Sequence, residues 1–323
     1  MKSNQILDIL INTTEYVSGQ SLAEQLGVSR QAVWKEIKAL KEQGWEIESV
    51  TKRGYKLVSM PQYLNAPSLK AGLKTKIIGS ELEVLDAVGS TNDYLKQLGN
   101  SGCKSGYVVA AREQVSGKGR LGRAWQSKRD ENITFSFLLR PNIAPTEVAC
   151  VTPLSGLAVC KAIRDFTGLD CKIKWPNDVI VGKKKLSGIL TEMSAEFDAV
   201  EYIITGIGIN VDQAVFPEEI AYKATSLLLE TGRHYDKNKL LAAIINQLEK
   251  DFIDNNLELS QTALEEYSAL CATIGKSVTF HRGTRQISGM AVGVASNGEL
   301  KIMLSDGSIC MVNSGEVTAQ GIY

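Results

Sequence analysis

The sequence predicts an α+β protein of several domains: a winged helix-turn-helix over residues 1–65, a mixed α/β domain over 66–270 and a small β-barrel over 271–323. Three observations predict it. The N-terminal stretch holds short amphipathic helices broken by a glycine turn and followed by a basic hairpin. Helix and strand patterns then mix without strict βαβ alternation. The final stretch carries Asn297-Gly298 and Asp306-Gly307, two-residue hairpin signals between short strand-like runs.

At 323 residues the chain exceeds the ~100–200 residues of an ordinary domain, so a split into two or three is expected. Hydrophobic and charged contents of 44% and 22% are globular values and argue against disorder. Lys plus Arg equal Asp plus Glu at 36 each, so any nucleic-acid face has to be local. Met1 to Leu10 is too short and mixed for a signal peptide, and no run approaches the ~18 apolar residues of a membrane span. The cysteines Cys103, Cys150, Cys160, Cys171, Cys271 and Cys310 lie far apart, and the histidines are His234 and His281 alone, which argues against a zinc site. Reduced thiols, a cytoplasmic location and no membrane partner are the expectation.

In the head, Ile6, Leu7, Ile9 and Leu10 fit one apolar helix face, and Ser21-x-x-Glu24 reads as a capping box opening a helix from Leu22 to Leu26. Gly27 stops it. Ser29 is an N-cap for a third helix to about Glu42, with Val33, Ile37 and Leu40 at apolar spacing and Arg30, Gln31, Lys35, Lys38 and Lys41 mostly elsewhere. Trp45 to Leu57 reads as two strands around Thr51-Lys52-Arg53-Gly54, a wing. A small helical cap with a solvated face fits the same helices. The conjunction of glycine turn, basic helix start and basic hairpin tip favours DNA instead. Residues 1–60 hold eight Lys/Arg against seven Asp/Glu, so placement and not net charge carries that reading. It puts Arg30 and Gln31 at base edges and Lys35, Lys52 and Arg53 at phosphates, counts Ser29 among the DNA-binding residues, and expects a dimer on a two-fold operator. The linker is placed around 60–66, where Met60-Pro61 and the proline of Asn65-Ala66-Pro67 break periodic structure.

Between 67 and 270, Glu83–Val88, Tyr107–Ala111 and Ile133–Leu139 read as strands, and Glu147–Phe166 and Asp236–Ile253 as helices. Gly117-Lys118-Gly119-Arg120-Leu121-Gly122 matches the dinucleotide pattern G-x-G-x-x-G, but Arg123-Ala124-Trp125 leads toward another strand and not into the helix that a pyrophosphate would need. What remains is a glycine-rich loop carrying Lys118, Arg120 and Arg123, suited to a lid over an anion or simply to a solvated basic turn. Lys174-Trp175-Pro176-Asn177-Asp178, followed by Lys185 and Gly188, places an Asn-Asp pair at a strand entrance, able to hold Mg²⁺ and phosphate oxygens or only to make a turn. In Gly206-Ile207-Gly208-Ile209-Asn210 the alternate glycines suggest that a ligand or another backbone lies against one strand face, although close strand packing reads the same way.

Taken in order, Ser90-Thr91-Asn92, Gln114, the Gly117 to Arg123 loop with Trp125, Lys174 to Asp178, Lys185-x-x-Gly188 and Gly206 to Asn210 resemble the biotin-protein ligases. The head before them and the β-domain after them resemble the bifunctional class that also represses biotin operons, so the resemblance spans essentially the whole chain. It implies a central domain of the biotin/lipoate ligase type and an SH3-like last domain. It also implies that Ser90, Thr91, Asn92 and Gln114 meet biotin, the ureido group above all, while Gly117, Lys118, Gly119 and Arg120 close over it. Arg123, Trp125, Lys174, Gly206, Gly208 and Asn210 would border ATP or the adenylate. Lys185 would bridge the biotin carboxylate and the α-phosphate, with Arg120, Asn177 and Asp178 completing the catalytic set and Asp178 attending Mg²⁺. The loop departs from the commonest family form, Gly-Arg-Gly-Arg, at Lys118, which keeps the charge and loses the planar fork.

The chemistry agrees. A carboxylate attacking the α-phosphate of ATP is anion meeting anion, which requires the cations that these motifs supply. A closed lid would then keep water from the mixed anhydride until a lysine of a biotin-accepting carrier domain, such as biotin carboxyl-carrier protein, takes the acyl group. Two rivals remain. Lipoate-protein ligase shares the two-step chemistry, but the head, Gln114 and the Gly-Lys-Gly-Arg loop favour biotin. A repressor that binds biotin without turnover would not need Lys185 or the Lys174 to Asp178 cluster. For regulation, the expectation is that adenylate binding orders the loop and favours a homodimer on the operator DNA of biotin genes. After a helical Thr262–Leu270, strands are expected near Ser277–His281, Ile287–Ala295, Glu299–Leu304 and Ser308–Val312.

Overall fold

The computed structural model describes residues 2–196, 199–282, 285–313 and 317–323. The head comprises α1 (Lys2–Ile11), α2 (Gly19–Leu26), α3 (Arg30–Glu42) and a wing of antiparallel β1 (Glu46–Val50) and β2 (Gly54–Ser59). Ile6, Leu7, Leu10, Leu22, Val33, Ile37, Leu40, Trp45 and Ile47 close a core of its own. One cap differs from expectation: Ser18, not Ser21, opens α2, its hydroxyl accepting from the Ser21 amide at 3.0 Å. The reason lies across the wing, where Val17 exchanges backbone hydrogen bonds with Tyr55 and so reaches Ser18 extended, which starts the helix one turn earlier. A side chain at Gly54 would put a Cβ 2.1 Å from Val17 O, so this bridge requires glycine there. Ser29 caps α3 through the Ala32 amide, as its spacing predicts.

The join between head and centre is packed. Leu64 is 2% exposed and belongs to the central core, while Tyr63 Oη donates to Gln43 O at the end of α3 and its ring lies 4.0 Å beneath the Arg112 guanidinium. Asn65 caps α4 (Ala66–Gly72) by accepting from the Ser68 amide. Pro67 therefore begins a helix, correcting the expectation that it only breaks structure, because its missing N–H falls in the first turn where no partner is needed.

In chain order the centre then contributes β3 (Leu82–Leu85), α5 (Thr91–Asn100), β4 (Val108–Ala111), β5 (Gln114–Lys118), β6 (Ala124–Ser127), β7 (Asn132–Leu139), α6 (Val151–Thr167), β8 (Cys171–Lys174), β9 (Asp178–Val181), β10 (Lys184–Glu196), β11 (Ala199–Asn210), α7 (Glu218–Ala221), α8 (Leu227–Thr231), α9 (Lys237–Asp254) and α10 (Gln261–Leu270). Seven strands form one sheet in the order β3-β4-β7-β11-β10-β9-β8, with only β3–β4 parallel. Alternate residues serve opposite faces. Val108, Ala110 and Phe137 join the main core with Leu154, Leu157, Leu241 and Ile245 of α6 and α9, whereas Val109, Leu138 and Ile204 meet Leu95 of α5. The long apolar helical stretch Pro145–Thr167 is a core helix, most of its α6 residues buried against the sheet and α9.

The last part is an antiparallel sheet of β12 (Ser277–Arg282), β13 (Arg285–Val294), β14 (Leu300–Met303), β15 (Ile309–Val312) and β16 (Thr318–Ala319), ordered β15-β14-β13-β12-β16. The fifth strand was not expected; two residues give no readable alternation. Gly298 and Gly307 both take positive φ, 85° and 81°, as the hairpin signals require. Val278, Phe280, Ala291, Leu300 and Ile302 belong to the same core as the central sheet, and Trp175 Nε1 donates to Gly298 O at 3.0 Å.

Candidate active site

The site begins with three glycines on the two middle strands. Gly188 of β10 and Gly208 of β11 are register partners. A Cβ at Gly208 would fall 2.3 Å from the Trp125 ring, one at Gly206 2.2 Å from Asn92 Oδ1, and one at Gly188 2.8 Å from Lys185 Nζ. The alternating glycines thus make room for side chains, an indole and an amide, where a ligand or backbone was expected.

Around Asn92 lies a buried polar network. The Thr91 amide and hydroxyl both donate to Gln114 Oε1, at 2.8 and 3.0 Å. Two donors on that oxygen fix the amide's orientation and leave Nε2 as its donor side. Ser136 Oγ sits 2.7 Å from Thr91 Oγ1 and 2.6 Å from Asn92 Oδ1, and Asn92 Nδ2 donates to Glu192 Oε2 at 2.6 Å. Ser90 opens α5 yet caps no amide of it among the described residues. Ser90, Thr91, Asn92 and Gln114 of this group line an inner cavity of about 50 Å³. Ser136 and Glu192 escaped the sequence reading. The signal for Ser136 was available: Asn132, Thr134 and Ser136 alternate along a strand that is buried throughout.

The glycine-rich loop is a two-stranded ribbon, β5–β6, with a tight turn at Leu121 and Gly122, both at positive φ. A Cβ at Gly117 would lie 2.4 Å from Trp125 O and 2.9 Å from Gln114 Nε2, so glycine lets the ribbon close on the network although it does not line the cavity. The ribbon's cations diverge. Lys118 pairs with Asp93 of α5 at 2.7 Å, while Arg120 reaches across to donate to Asn177 Oδ1 at 3.0 Å, its pKa lowered by burial. Arg120 therefore stands at the centre of the site and Lys118 at its edge.

An outer cleft of about 640 Å³ adjoins the inner cavity, and Trp125, Arg120, Asn177 and Lys185 line both. Arg123, Lys174 and Lys223 add to its positive lining, while Asp178 and Glu219 are its acids. Lys185 Nζ lies 2.5 Å from Asp178 Oδ1, and Tyr323 Oη donates to Asp178 Oδ2 at 2.7 Å. The Tyr323 ring in turn covers Lys174 Nζ, 3.4 Å from its centroid. Burial lowers the Lys174 pKa from 10.5 to about 8, partly offset by Asp178, and burial also raises that of Tyr323. Asn177 is anchored by Nδ2 to Ile189 O, and Asn210 by Nδ2 to Thr225 O, both at 2.9 Å. Trp125 Nε1 is buried with no hydrogen-bond partner among the described residues, an indole donor at the junction of the two chambers. Tyr323 lies 145 residues from Asp178, so no local pattern announced it.

In the head, Ser29, Arg30, Gln31 and Lys35 are exposed along α3, and Lys52 and Arg53 are exposed at the wing tip. Ser29 is occupied as a cap. The Arg53 guanidinium lies 4.2 Å over the Tyr16 ring, which steadies one side of the wing.

Family models match the chain in three places: an HTH domain over residues 2–56, the Biotin/lipoate A/B protein ligase family over 84–210, and the Biotin protein ligase C terminal domain over 273–318. The chain is 36% identical to the Bifunctional ligase/repressor BirA of Bacillus subtilis across 91% of each chain. It is 30% identical to the protein of the same name from Escherichia coli across 98% of each. Among solved structures, a biotin protein ligase from Aquifex aeolicus in complex with biotin and ATP is similar, with a TM-score of 0.63 and 31% identity over 75% of this chain and 99% of that one.

Proposed function

The chain belongs to the bifunctional biotin ligase/repressor family, and from that premise we propose how its two chambers divide the work. It is a biotin-protein ligase that uses biotin and ATP, and a repressor with a DNA-binding head. Biotin takes the inner chamber, where Gln114 Nε2 offers a donor to the ureido oxygen and the Ser90 and Thr91 hydroxyls serve the same ring. Gly119 and Arg120 of the glycine-rich loop line this chamber, so the loop closes over biotin there and opens for its entry. ATP takes the outer cleft, its phosphates among Arg120, Arg123 and Lys174 and its adenylate part beside Trp125 and Asn210, while Gly206 and Gly208, expected at the adenylate, line the inner chamber beneath Asn92 and Trp125.

The observation that carries this reading is Lys185, which lines both chambers at once. A cation at that junction stabilises the charge that builds when a carboxylate oxygen attacks the α-phosphorus and the bond to pyrophosphate breaks. The ε-amine of a lysine on a carrier domain then attacks the acyl carbon of the adenylate, the acyl–phosphate bond breaks to release AMP, and the amine gives up a proton. Mg²⁺ fits as a companion of the triphosphate. No cluster of three acidic, histidine or cysteine ligands occurs among the described residues, but one carboxylate, Asp178, beside the Asn177 amide is the sparse oxygen set that magnesium accepts when phosphates and water complete it. When bound it supplies neutralisation of phosphate charge. We assign the protein to the cytoplasm, and the ligand-bound form to a homodimer that places two heads on operator DNA.

The test is ATP–pyrophosphate exchange by the full chain with biotin or lipoate as the acid. Exchange dependent on biotin is expected. Exchange with lipoate alone, or with neither acid, would overturn the assignment of the inner chamber.

A further inference from the structure

Trp34 stands near the middle of α3 with 54% of its surface exposed. The helix already fills the head's core with Val33, Ile37 and Leu40, and the tryptophan that packs there is Trp45. An indole left open on a helix that does not need it for packing is uncommon, because the ring is a large apolar surface. Its surroundings are specific. Arg30, Gln31 and Lys38 are exposed three or four residues away and so share the ring's helix face, while Lys35, also exposed, is the next residue round the helix. Lys38 Nζ lies 5.9 Å from its centroid. The acids of α3 are turned to other tasks: Glu36 accepts from Ser3, and Glu42 sits a turn beyond Lys38, 4.0 Å from its ammonium.

An apolar plate ringed by cations and amide donors suits a polyanion that also displays an apolar group. Duplex DNA is such a partner, since its major groove presents the C5-methyl of thymine among polar base edges and phosphates flank it on both sides. A second copy of this face would set like charges against each other. Resting on the reading of the head as a DNA-binding unit, we propose that Trp34 packs on a thymine methyl group in the major groove and sets the preference for that base pair. Arg30 and Gln31 read polar edges beside it, and Lys35 and Lys38 hold phosphates.

The full chain, with biotin and ATP, is used to select duplexes from a random-sequence pool. The enriched duplex is then remade with deoxyuridine at each thymine in turn, which deletes one methyl group at a time. For the unaltered chain, one such replacement per half-site should lower affinity about fourfold, the value of a single buried methyl group. Trp34→Ala should bind the thymine and uracil duplexes alike at that position, while Arg30→Ala weakens binding and keeps the discrimination. Thermal melting of Trp34→Ala at the unaltered temperature would show that the head remains folded. The proposal is overturned if Trp34→Ala keeps the uracil penalty, if the unaltered chain shows none anywhere, or if the substitution alters self-association and leaves discrimination intact. Failure of the unaltered chain to enrich any duplex would remove the DNA-binding reading itself, and this proposal with it.

Discussion

Tyr323 Oη and Asp178 Oδ2 are joined by a 2.7 Å hydrogen bond that ties the segment after the last strand to the outer cleft. The same ring covers the Lys174 ammonium, so one side chain orders both an acid and a base of the cleft. Tyr323→Phe keeps the ring and deletes the bond. Hydrogen bonds to charged groups are worth roughly 1.5–3 kcal/mol, so KM for ATP should rise by about tenfold or more while KM for biotin holds. Tyr323→Ala should go further by uncovering Lys174. Steady-state exchange kinetics with each substrate varied would decide it, and an unchanged KM for ATP in both variants would show that the contact is ornamental to catalysis.

With the phosphates in the outer cleft as proposed, Lys174 should make the nucleotide step sensitive to alkali. Burial brings its pKa from 10.5 to about 8, so this cation is present below that pH and lost as pH rises through it. kcat/KM for ATP should therefore fall above pH ~8 in the free enzyme. Arginine stays charged throughout, so Lys174→Arg should lose this limb of the profile whatever its absolute rate. Stability moves the other way: the unfolded chain binds more protons at this group between about 8 and 10.5, so its contribution rises with pH across that window. A Lys174→Arg profile that keeps the same alkaline fall would assign it to another group.

Much of this site was legible because its chemistry is concentrated in short motifs. Gly206 and Gly208 announced a crowded strand face, and Lys174, Asn177, Asp178 and Lys185, grouped in the sequence, do line one cleft. The identity of the neighbours was not legible: nothing local says that Asn92 and Trp125 fill the space over those glycines, because both arrive from distant segments. Tyr323, Glu192 and Ser136 were missed for the same reason, each meeting its partner only through the fold. At Ser21 a plausible local capping pattern lost to a tertiary contact, the Val17–Tyr55 bridge. Pro67 was misread because the same residue that ends a helix also begins one.

Gly206 should separate the two substrates. A methyl group there would lie 2.2 Å from Asn92 Oδ1, forcing Asn92 away from Ser136 and Glu192 and loosening Thr91 and Gln114 behind them. Gly206→Ala should raise KM for biotin by about tenfold or more, the loss of one or two buried hydrogen bonds, with a smaller effect on ATP. Gly208→Ala instead displaces Trp125, whose ring its Cβ would approach to 2.3 Å, and should weigh on ATP. Equal effects of both substitutions on both substrates would mean that the chambers are not separable.

Lys185→Ala removes one of the two cations, the other being Arg120, that line both chambers. Losing one preorganised electrostatic contact of this kind costs about 10²–10³ in rate, so pyrophosphate exchange should drop by that factor. The side chain is partly exposed and its partner Asp178 retains Tyr323, so the melting temperature should move by no more than a few degrees. Near-normal exchange would take Lys185 out of the chemical step.

Where the head is cut should matter as much as whether it is cut. Removing residues 1–60 takes away α3 and the wing, so operator binding should vanish while biotin transfer to a carrier domain continues. Removing 1–65 also takes Leu64, 2% exposed in the central core, and Asn65, which caps α4 and whose amide donates to Asn238 of α9. A buried leucine lost from a core costs about 2–5 kcal/mol and a helix cap about 1, so the longer deletion should melt at least several degrees lower and transfer biotin poorly. Melting curves and transfer rates of the two truncated chains measure this directly. Equal stability would mean that Leu64 is held by the head and not by the domain that follows, and would move the boundary between them to the C-terminal side of Asn65.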